Sequence, residues 1–194
     1  PINVYIGVDI AATATQRSDF QVIMVIGVDA NKNRYVLEYY RERIPTFDLP
    51  QKIIDMARKY TPVRRVTIET VAAQEMVRDM VTRMAASDRR LIPGIFKGVK
   101  PPSGIKKADR LETSLGPIVN SKKLYIRREM TELVDEMFEH PVPKNDDLMD
   151  GLYYADYYSK APLSTAISVT EMRSGKKGGS KLKGYYNWMT GARR

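Results

Sequence analysis

The sequence predicts an α/β domain whose central sheet is mixed, with three antiparallel strands followed by parallel strands. Three strand-like apolar runs come in succession near the start of the chain, and a short turn joins the second to the third. Helix-like and strand-like segments then alternate. A strand that follows a helical crossover from such a meander lies beside the first strand and parallel to it. We therefore expect a five-stranded sheet flanked by helices.

The first three strands are predicted over residues 4–9, 20–28 and 34–43, where β-branched and aromatic residues are concentrated. A cluster of turn residues at 29–33 separates the second strand from the third, so these two strands should form an antiparallel hairpin. Gly7 has no side chain, and another backbone or a ligand can therefore approach the first strand closely at that point.

The later elements are predicted from helical periodicity and from short β-branched runs. The first helix has an apolar face that includes Ile53, Ile54 and Ala57, and it should end before Pro62. The predicted order is a helix at 49–60, a strand at 65–69, a helix at 72–86, a fifth strand or edge segment at 91–96, a Gly/Pro/Lys loop at 97–104, a helix at 105–115, an extended stretch at 124–127, and helices at 130–139 and 145–160.

The length of 194 residues fits one domain and a tail. We assign residues 1–161 to the domain and 162–194 to a C-terminal extension, because Gly, Ser and Lys dominate from Ser174 onward and predict a basic, flexible tail. The chain begins Pro-Ile-Asn without a Met, so we expect a domain excised from a longer protein. No apolar run approaches the roughly 20 residues of a membrane span, and no signal peptide is visible.

The composition restricts the chemistry. There is no cysteine and one histidine, His140, which excludes disulfides, thiolate metal sites and sites of several histidines. A metal site would need oxygen ligands, which favours Mg²⁺ or Mn²⁺ over zinc. The net charge of +9 and the pI of about 9.6 indicate a polyanionic partner, with nucleic acid first and simple solubility as the alternative.

Acidic residues are predicted to meet at one edge of the sheet. Asp9 and Glu69 end the first and fourth strands, whose C-terminal ends should be neighbours. The last helix could bring Asp146 or Asp147 to the same edge, and Asp150 lies one turn further on. Asp9 could instead cap a turn, and the last group could serve the helix start and its dipole. As ligands, these carboxylates could hold two divalent ions roughly 3.5–4 Å apart.

Basic residues lie between the fifth strand and the last helix, where they would contact DNA phosphates around the acids. Each could also be ordinary surface charge, and the clustering is the stronger signal. The candidates are Lys97, Lys100, Lys106, Lys107, Arg110, Arg127 and Arg128.

An ordered set of short motifs resembles the C-terminal nuclease domain of the large terminase subunit of tailed bacteriophages. The resemblance covers roughly residues 3–160. It is carried by Gly-Val-Asp-Ile-Ala at 7–11, Ser-Asp-Phe at 18–20, Thr-Ile-Glu-Thr at 67–70, Lys-Ala-Asp-Arg at 107–110 with Gly-Pro at 116–117, and Asn-Asp-Asp-Leu-Met-Asp-Gly-Leu at 145–152.

The resemblance implies a ribonuclease H-like fold and an endonuclease that uses Mg²⁺ or Mn²⁺ to cut concatemeric double-stranded DNA during genome packaging. Asp9 matches the first acid of that family, Glu69 the second, and the Asp146–Asp147 pair the third. Among the last group we rank Asp147 first as a catalytic ligand, Asp146 second and Asp150 third. Lys107 and Arg110 match its basic positions.

The same resemblance implies an N-terminal ATPase domain elsewhere in the polypeptide, a small terminase subunit and a portal as partners, and the host cytoplasm as location. No phosphate-loop motif occurs in this sequence, so we expect cutting without ATP. No base-reading element is apparent, so we also expect little sequence preference. The alternatives are a Holliday-junction-resolvase-like or transposase-like nuclease of the same fold, an actin-like or sugar-kinase-type ATP-binding domain, and a non-catalytic DNA-binding scaffold.

Overall fold

The computed structural model describes residues 1–11, 20–70, 74–92, 94–143 and 145–163. The strands are β1 (Ile2–Asp9), β2 (Gln21–Asp29), β3 (Arg34–Glu42), β4 (Val63–Glu69), β5 (Phe96–Val99) and β6 (Leu124–Tyr125). The helices are α1 (Leu49–Lys59), α2 (Gln74–Ala85), α3 (Lys107–Asn120), α4 (Thr131–Glu139) and α5 (Asp147–Asp156). Residues 12–19 before β2, and the predicted C-terminal extension from residue 164 onward with its flexible tail, lie outside the described residues.

The sheet confirms the predicted topology at its centre. Its strand order is β5-β4-β1-β2-β3-β6, with β1, β2 and β3 antiparallel and β4 parallel to β1. The pairing of Val8 with Ile68 brings the C-terminal ends of β1 and β4 side by side, so Asp9 and Glu69 are neighbours at one edge of the sheet.

The outer strands differ from the prediction, because the sheet has six strands where we expected five. The fifth strand begins at Phe96, where the predicted one ended. Gly94 adopts a positive φ of 73°, so the backbone turns there and pairing begins after it. The sixth strand is the extended stretch at Leu124–Tyr125, which pairs with the start of β3.

Two helices differ in length from the expected ones. The helix predicted to end at Leu115 continues as α3 to Asn120, with Pro117 inside it. Pro117 lies near the C-terminal end, and Ile118 and Val119 continue to pack against the core. The last helix, α5, ends at Asp156, four residues before the predicted end.

Each face of the sheet carries its own apolar core. Along β1 the side chains alternate, with Val4, Ile6 and Val8 toward α1 and α2 and Tyr5 toward α3, α4 and α5. Within the described residues, no helix is both long enough and apolar enough to cross a membrane.

Helix α5 is packed directly onto the middle of β1 at Gly7. A Cβ atom placed on Gly7 would overlap the backbone nitrogen of Ala155 and the carbonyl oxygen of Gly151, and it would lie 2.8 Å from the carbonyl carbon of Tyr154. Gly151 faces β2 in turn, and a Cβ there would lie 2.7 Å from Cγ1 of Val22. Of the two uses predicted for Gly7, the close approach of another backbone is the one observed. It brings the first turn of α5 beside the end of β1.

Candidate active site

The acidic residues line a cleft of about 520 Å³ at the C-terminal edge of β1 and β4. All five predicted acids contribute to its walls, and so do two of the predicted cations. Pro101, Pro102 and Ile105 from the loop before α3 close one side, and Phe20 lies on another. The lining charges are Asp9, Glu69, Asp146, Asp147, Asp150, Lys107 and Arg110.

Asp9 lies at the bottom of this cleft, and only 9% of its surface is exposed. Burial raises the pKa of Asp9 well above its usual range, a hydrogen bond with the Glu69 carboxyl raises it further, and the nearby charges of Asp150 and Glu69 act in the same direction. The charge of Lys107 opposes this shift. Three carboxyls in one poorly solvated place therefore favour a nearby positive charge.

Asp150 lies on the first turn of α5 and is also buried, with 4% of its surface exposed. Nη2 of Arg110 donates to its Oδ1 at 2.8 Å, and Nζ of Lys107 forms an ion pair with its Oδ2. Burial raises the pKa of Asp150, although the two cations act against the shift. Both oxygens of this carboxylate therefore have a cationic partner on α3.

Asp146 and Asp147 point to different partners. Asp146 accepts a hydrogen bond from Nζ of Lys107 at 2.7 Å, and Oδ2 of Asp147 lies 3.4 Å from Nη2 of Arg41 on β3. Asp150 is the member of this group whose charge acts on Asp9. Asp147, which we ranked first from the sequence, is directed toward Arg41, and its role as a ligand stays a prediction.

Two charged residues that sequence reasoning did not single out support the start of α5. Glu136 on α4 is buried, and its Oε2 accepts hydrogen bonds from the backbone N–H groups of Leu148 at 3.0 Å and Met149 at 3.1 Å. No side-chain cap comes from Asp146 itself, so Glu136 caps the helix from outside. Burial raises the pKa of Glu136 to about 7. The sequence does carry one signal for Glu136. It lies three residues after Leu133 and therefore on the apolar face of α4, where a charged residue indicates a buried partner.

Arg41 connects this cap to the cleft. It lies 3.7 Å from Oε1 of Glu136 and stacks on the ring of Phe20, with 4.0 Å between its guanidinium carbon and the ring centroid. Its side chain is 9% exposed, which is unusual for arginine near a strand end. In the sequence, Arg41 is one charged residue of a loosely alternating strand. Its contacts with α4 and α5 arise only in the folded domain and could not be predicted.

The remaining predicted cations are arranged less closely around the acids. Lys100 is exposed and lies 3.5 Å from Glu75, and Lys106 is exposed just before α3. Arg127 lines a different pocket, together with Glu38 and Tyr60, and that pocket shares no residue with the acidic cleft. Arg128 is exposed near Arg127. Lys97 is exposed on β5 and does not line the cleft either. The structure thus brings Lys107 and Arg110 into the cleft and leaves the other five outside its walls.

The donor chemistry of the cleft fits a hard divalent cation. Asp9, Glu69 and Asp150 offer anionic oxygens, the ligands that Mg²⁺ and Mn²⁺ prefer, and the pKa of Asp9 is raised first by burial and then by its Glu69 and Asp150 neighbours. Within the described residues, no three acidic or histidine side chains have their ligand atoms already converged for a metal ion. Both oxygens of Asp150 are instead paired with Lys107 and Arg110 on α3.

Comparisons with known proteins agree with the fold. The family model described as "Terminase RNaseH-like domain" matches residues 6–156. The large terminase nuclease of thermophilic phage G20c, solved with bound zinc, is 15% identical, with 82% of each chain covered and a TM-score of 0.58. The yeast mitochondrial Holliday junction resolvase is 12% identical, with 80% of this chain and 78% of that chain covered and a TM-score of 0.52. No curated protein sequence matches the chain.

Proposed function

The chain belongs to the family of terminase RNaseH-like domains, and from that premise we propose that it is a metal-dependent DNA endonuclease that cuts concatemeric double-stranded viral DNA during genome packaging. The observation that carries the proposal is that Asp9, Glu69 and Asp150 line one cleft, where the Glu69 and Asp150 carboxyls both act on Asp9. Adjacent strand ends and a helix start are a rigid frame for these three carboxylates, which suits them to metal-assisted phosphodiester hydrolysis.

Asp9, Glu69 and Asp150 are the residues that would hold the cofactor, which we propose to be two Mg²⁺ or Mn²⁺ ions. Asp146 and Asp147 are further candidates at the rim. The ions would supply Lewis acidity, which activates the attacking water and offsets charge on the scissile phosphate. Asp9 is central because both the Glu69 and the Asp150 carboxyls act on it. The terminase nuclease of phage G20c binds zinc, which supports a divalent cation as the ligand class.

The acidic cleft alone would repel DNA, and the net positive charge of the chain provides the attraction for it. With a net charge of +9, the domain should bind the DNA backbone through phosphate contacts, and binding should weaken steeply as salt rises. Lys100, Lys106, Lys107 and Arg110 surround or line the cleft and are the first candidates for these contacts. Phosphate contacts carry no base information, so we propose cutting with little sequence preference.

The biological setting follows from the same family. We propose that the domain acts in the cytoplasm of an infected host, joined to an N-terminal ATPase domain and working with a small terminase subunit and a portal. Its fold likeness to a Holliday junction resolvase makes a branched-DNA substrate the alternative to compare.

Incubation with supercoiled plasmid tests the activity directly. With MnCl₂ or MgCl₂ we expect nicked circles first and linear or degraded DNA later, and with excess EDTA we expect intact plasmid. A matched four-way junction and linear duplex should be cut at similar rates. Plasmid that stays intact at every metal concentration would contradict a nuclease, and cleavage confined to the junction would favour a resolvase.

A further inference from the structure

Lys107 has a place inside the acidic cleft that a simple DNA contact does not explain. Its Nζ lies 2.7 Å from Oδ1 of Asp146 and also forms an ion pair with Oδ2 of Asp150. It thereby joins the two acids from within the cleft. The remaining oxygen of Asp150 accepts from Nη2 of Arg110 at 2.8 Å. Every oxygen that Asp150 could offer to a metal is therefore already paired with a cation from α3.

A divalent cation bound by Asp150 would share that carboxylate with the ammonium of Lys107. Both positive charges would lie within a few ångströms of each other in a cleft where Asp150 is 4% exposed. Solvent screens such a pair poorly, so they repel strongly. Metal binding at Asp150 and the Lys107 ion pair are thus competing uses of the same oxygens.

Lys107 is the cation that can leave, and Arg110 is the one that is fixed. The side chain of Lys107 is 40% exposed on a flexible stem, whereas that of Arg110 is 10% exposed. Arg110 also stacks against aromatic rings, with its guanidinium carbon 4.9 Å from the centroid of Tyr153 and 5.9 Å from that of Tyr154. A displaced Lys107 would stay at the rim with its charge available to a phosphate.

We propose that Lys107 is a positioning residue that neutralises the cleft by pairing with Asp146 and Asp150, and that divalent cations bind by displacing its ammonium from Asp150. The inference rests on the proposed function, because it assumes that the cleft binds divalent cations. It also couples the two ligands, since a metal ion that frees Lys107 should strengthen DNA binding, and DNA that draws Lys107 away should strengthen metal binding by the same factor.

The test is a calorimetric titration of the 194-residue chain with MnCl₂ in the absence of DNA. We expect Lys107→Met to bind Mn²⁺ roughly tenfold more tightly than the unmodified chain, because one charged hydrogen-bonding competitor has been removed. Lys107→Arg keeps the cation and should stay within about threefold of the unmodified chain. Lys59→Met is the matched control, because Lys59 forms an ion pair of 2.6 Å with Glu38 on another surface, and it should leave the affinity unchanged.

A second variant pair shows whether the gain comes through Asp150. Lys107→Met should give no gain when Asp150→Asn is also present, since the shared carboxylate is then absent. An affinity in Lys107→Met equal to or weaker than that of the unmodified chain, or no Mn²⁺ binding by either protein, would overturn the inference. The plasmid assay separates this failure from failure of the proposed function, because a chain that cuts plasmid with Mn²⁺ can still show no gain in Lys107→Met.

Discussion

Asp9→Asn should lower the rate of plasmid cleavage at saturating Mn²⁺ by about 10³-fold or more while leaving the domain folded and able to bind DNA. Asparagine has nearly the same shape as aspartate and lacks its charge, so the cleft loses the central anionic ligand and several kcal/mol of transition-state stabilisation. Asp9 is buried beside Glu69 and Asp150, so the same change removes like-charge repulsion and should leave the melting temperature equal or higher.

Asp135→Asn is the matched control for Asp9→Asn. Asp135 is exposed on α4 and is not part of the cleft lining, so its variant should cut at the normal rate. Cleavage by Asp9→Asn at the rate of the unmodified chain would show that the active site lies elsewhere. A large loss of melting temperature would show instead that Asp9 serves the fold, as a turn cap would.

Gly7→Ala should destabilise the domain by about 3 kcal/mol or more, which is a large part of the roughly 5–15 kcal/mol of a typical domain. The new methyl group would overlap backbone atoms of Gly151 and Ala155, and neither atom can move without moving α5 away from β1. Asp150 precedes Gly151 in α5, so a shift of the helix would also move the Asp150 carboxylate. Any protein that remains folded should therefore bind Mn²⁺ more weakly. Urea unfolding followed by circular dichroism gives the change in stability.

Gly116→Ala provides the comparison for Gly7→Ala. Gly116 lies inside α3, and a Cβ there would meet only the Cγ atom of Glu112, at 3.9 Å. Alanine is the better helix former, so this variant should be as stable as the unmodified chain or more stable by up to about 1 kcal/mol. Equal urea midpoints for Gly7→Ala and Gly116→Ala would mean that α5 does not press on β1 as described.

The centre of the fold was predictable because its signals are local. Three apolar runs and a turn cluster define the meander, and the right-handed crossover then fixes β4 beside β1. The strands at the two edges of the sheet were harder to predict. Strand β6 has only two residues, which is too short to show a periodic pattern in the sequence. At β5 the apolar run extended past Gly94, whose positive φ rather than hydrophobicity decides where pairing begins.

The acids at strand ends were also predictable, since register alone makes Asp9 and Glu69 neighbours. The partner that each acid of α5 contacts was not predictable. Asp147 and Asp150 are three residues apart and therefore about 60° apart around the helix, so they share a face and still point to different partners. The contact of α5 with Gly7 sets how the helix is rotated about its own axis. That contact belongs to the tertiary structure and leaves no local signal in the sequence.

The partners of Arg41 and Lys107 could not be predicted, because both residues pair with acids that are distant in the sequence. Arg41 and Asp147 are 106 residues apart in sequence, and Lys107 and Asp150 belong to helices that only the folded core brings together. From the clustering of basic residues we predicted that Lys107 and Arg110 contact DNA phosphates, and their observed partners are the acids of the cleft.

A crystal of the domain grown with MnCl₂ tests the central claim most directly, because Mn²⁺ is located by its anomalous scattering. We expect a peak within coordination distance, about 2 Å, of an Asp9 oxygen, with Glu69 and Asp150 completing the protein ligands and the ammonium of Lys107 moved off Asp150. A peak held by Asp147 with no contact to Asp9, or no peak in the cleft at a saturating concentration, would contradict the account.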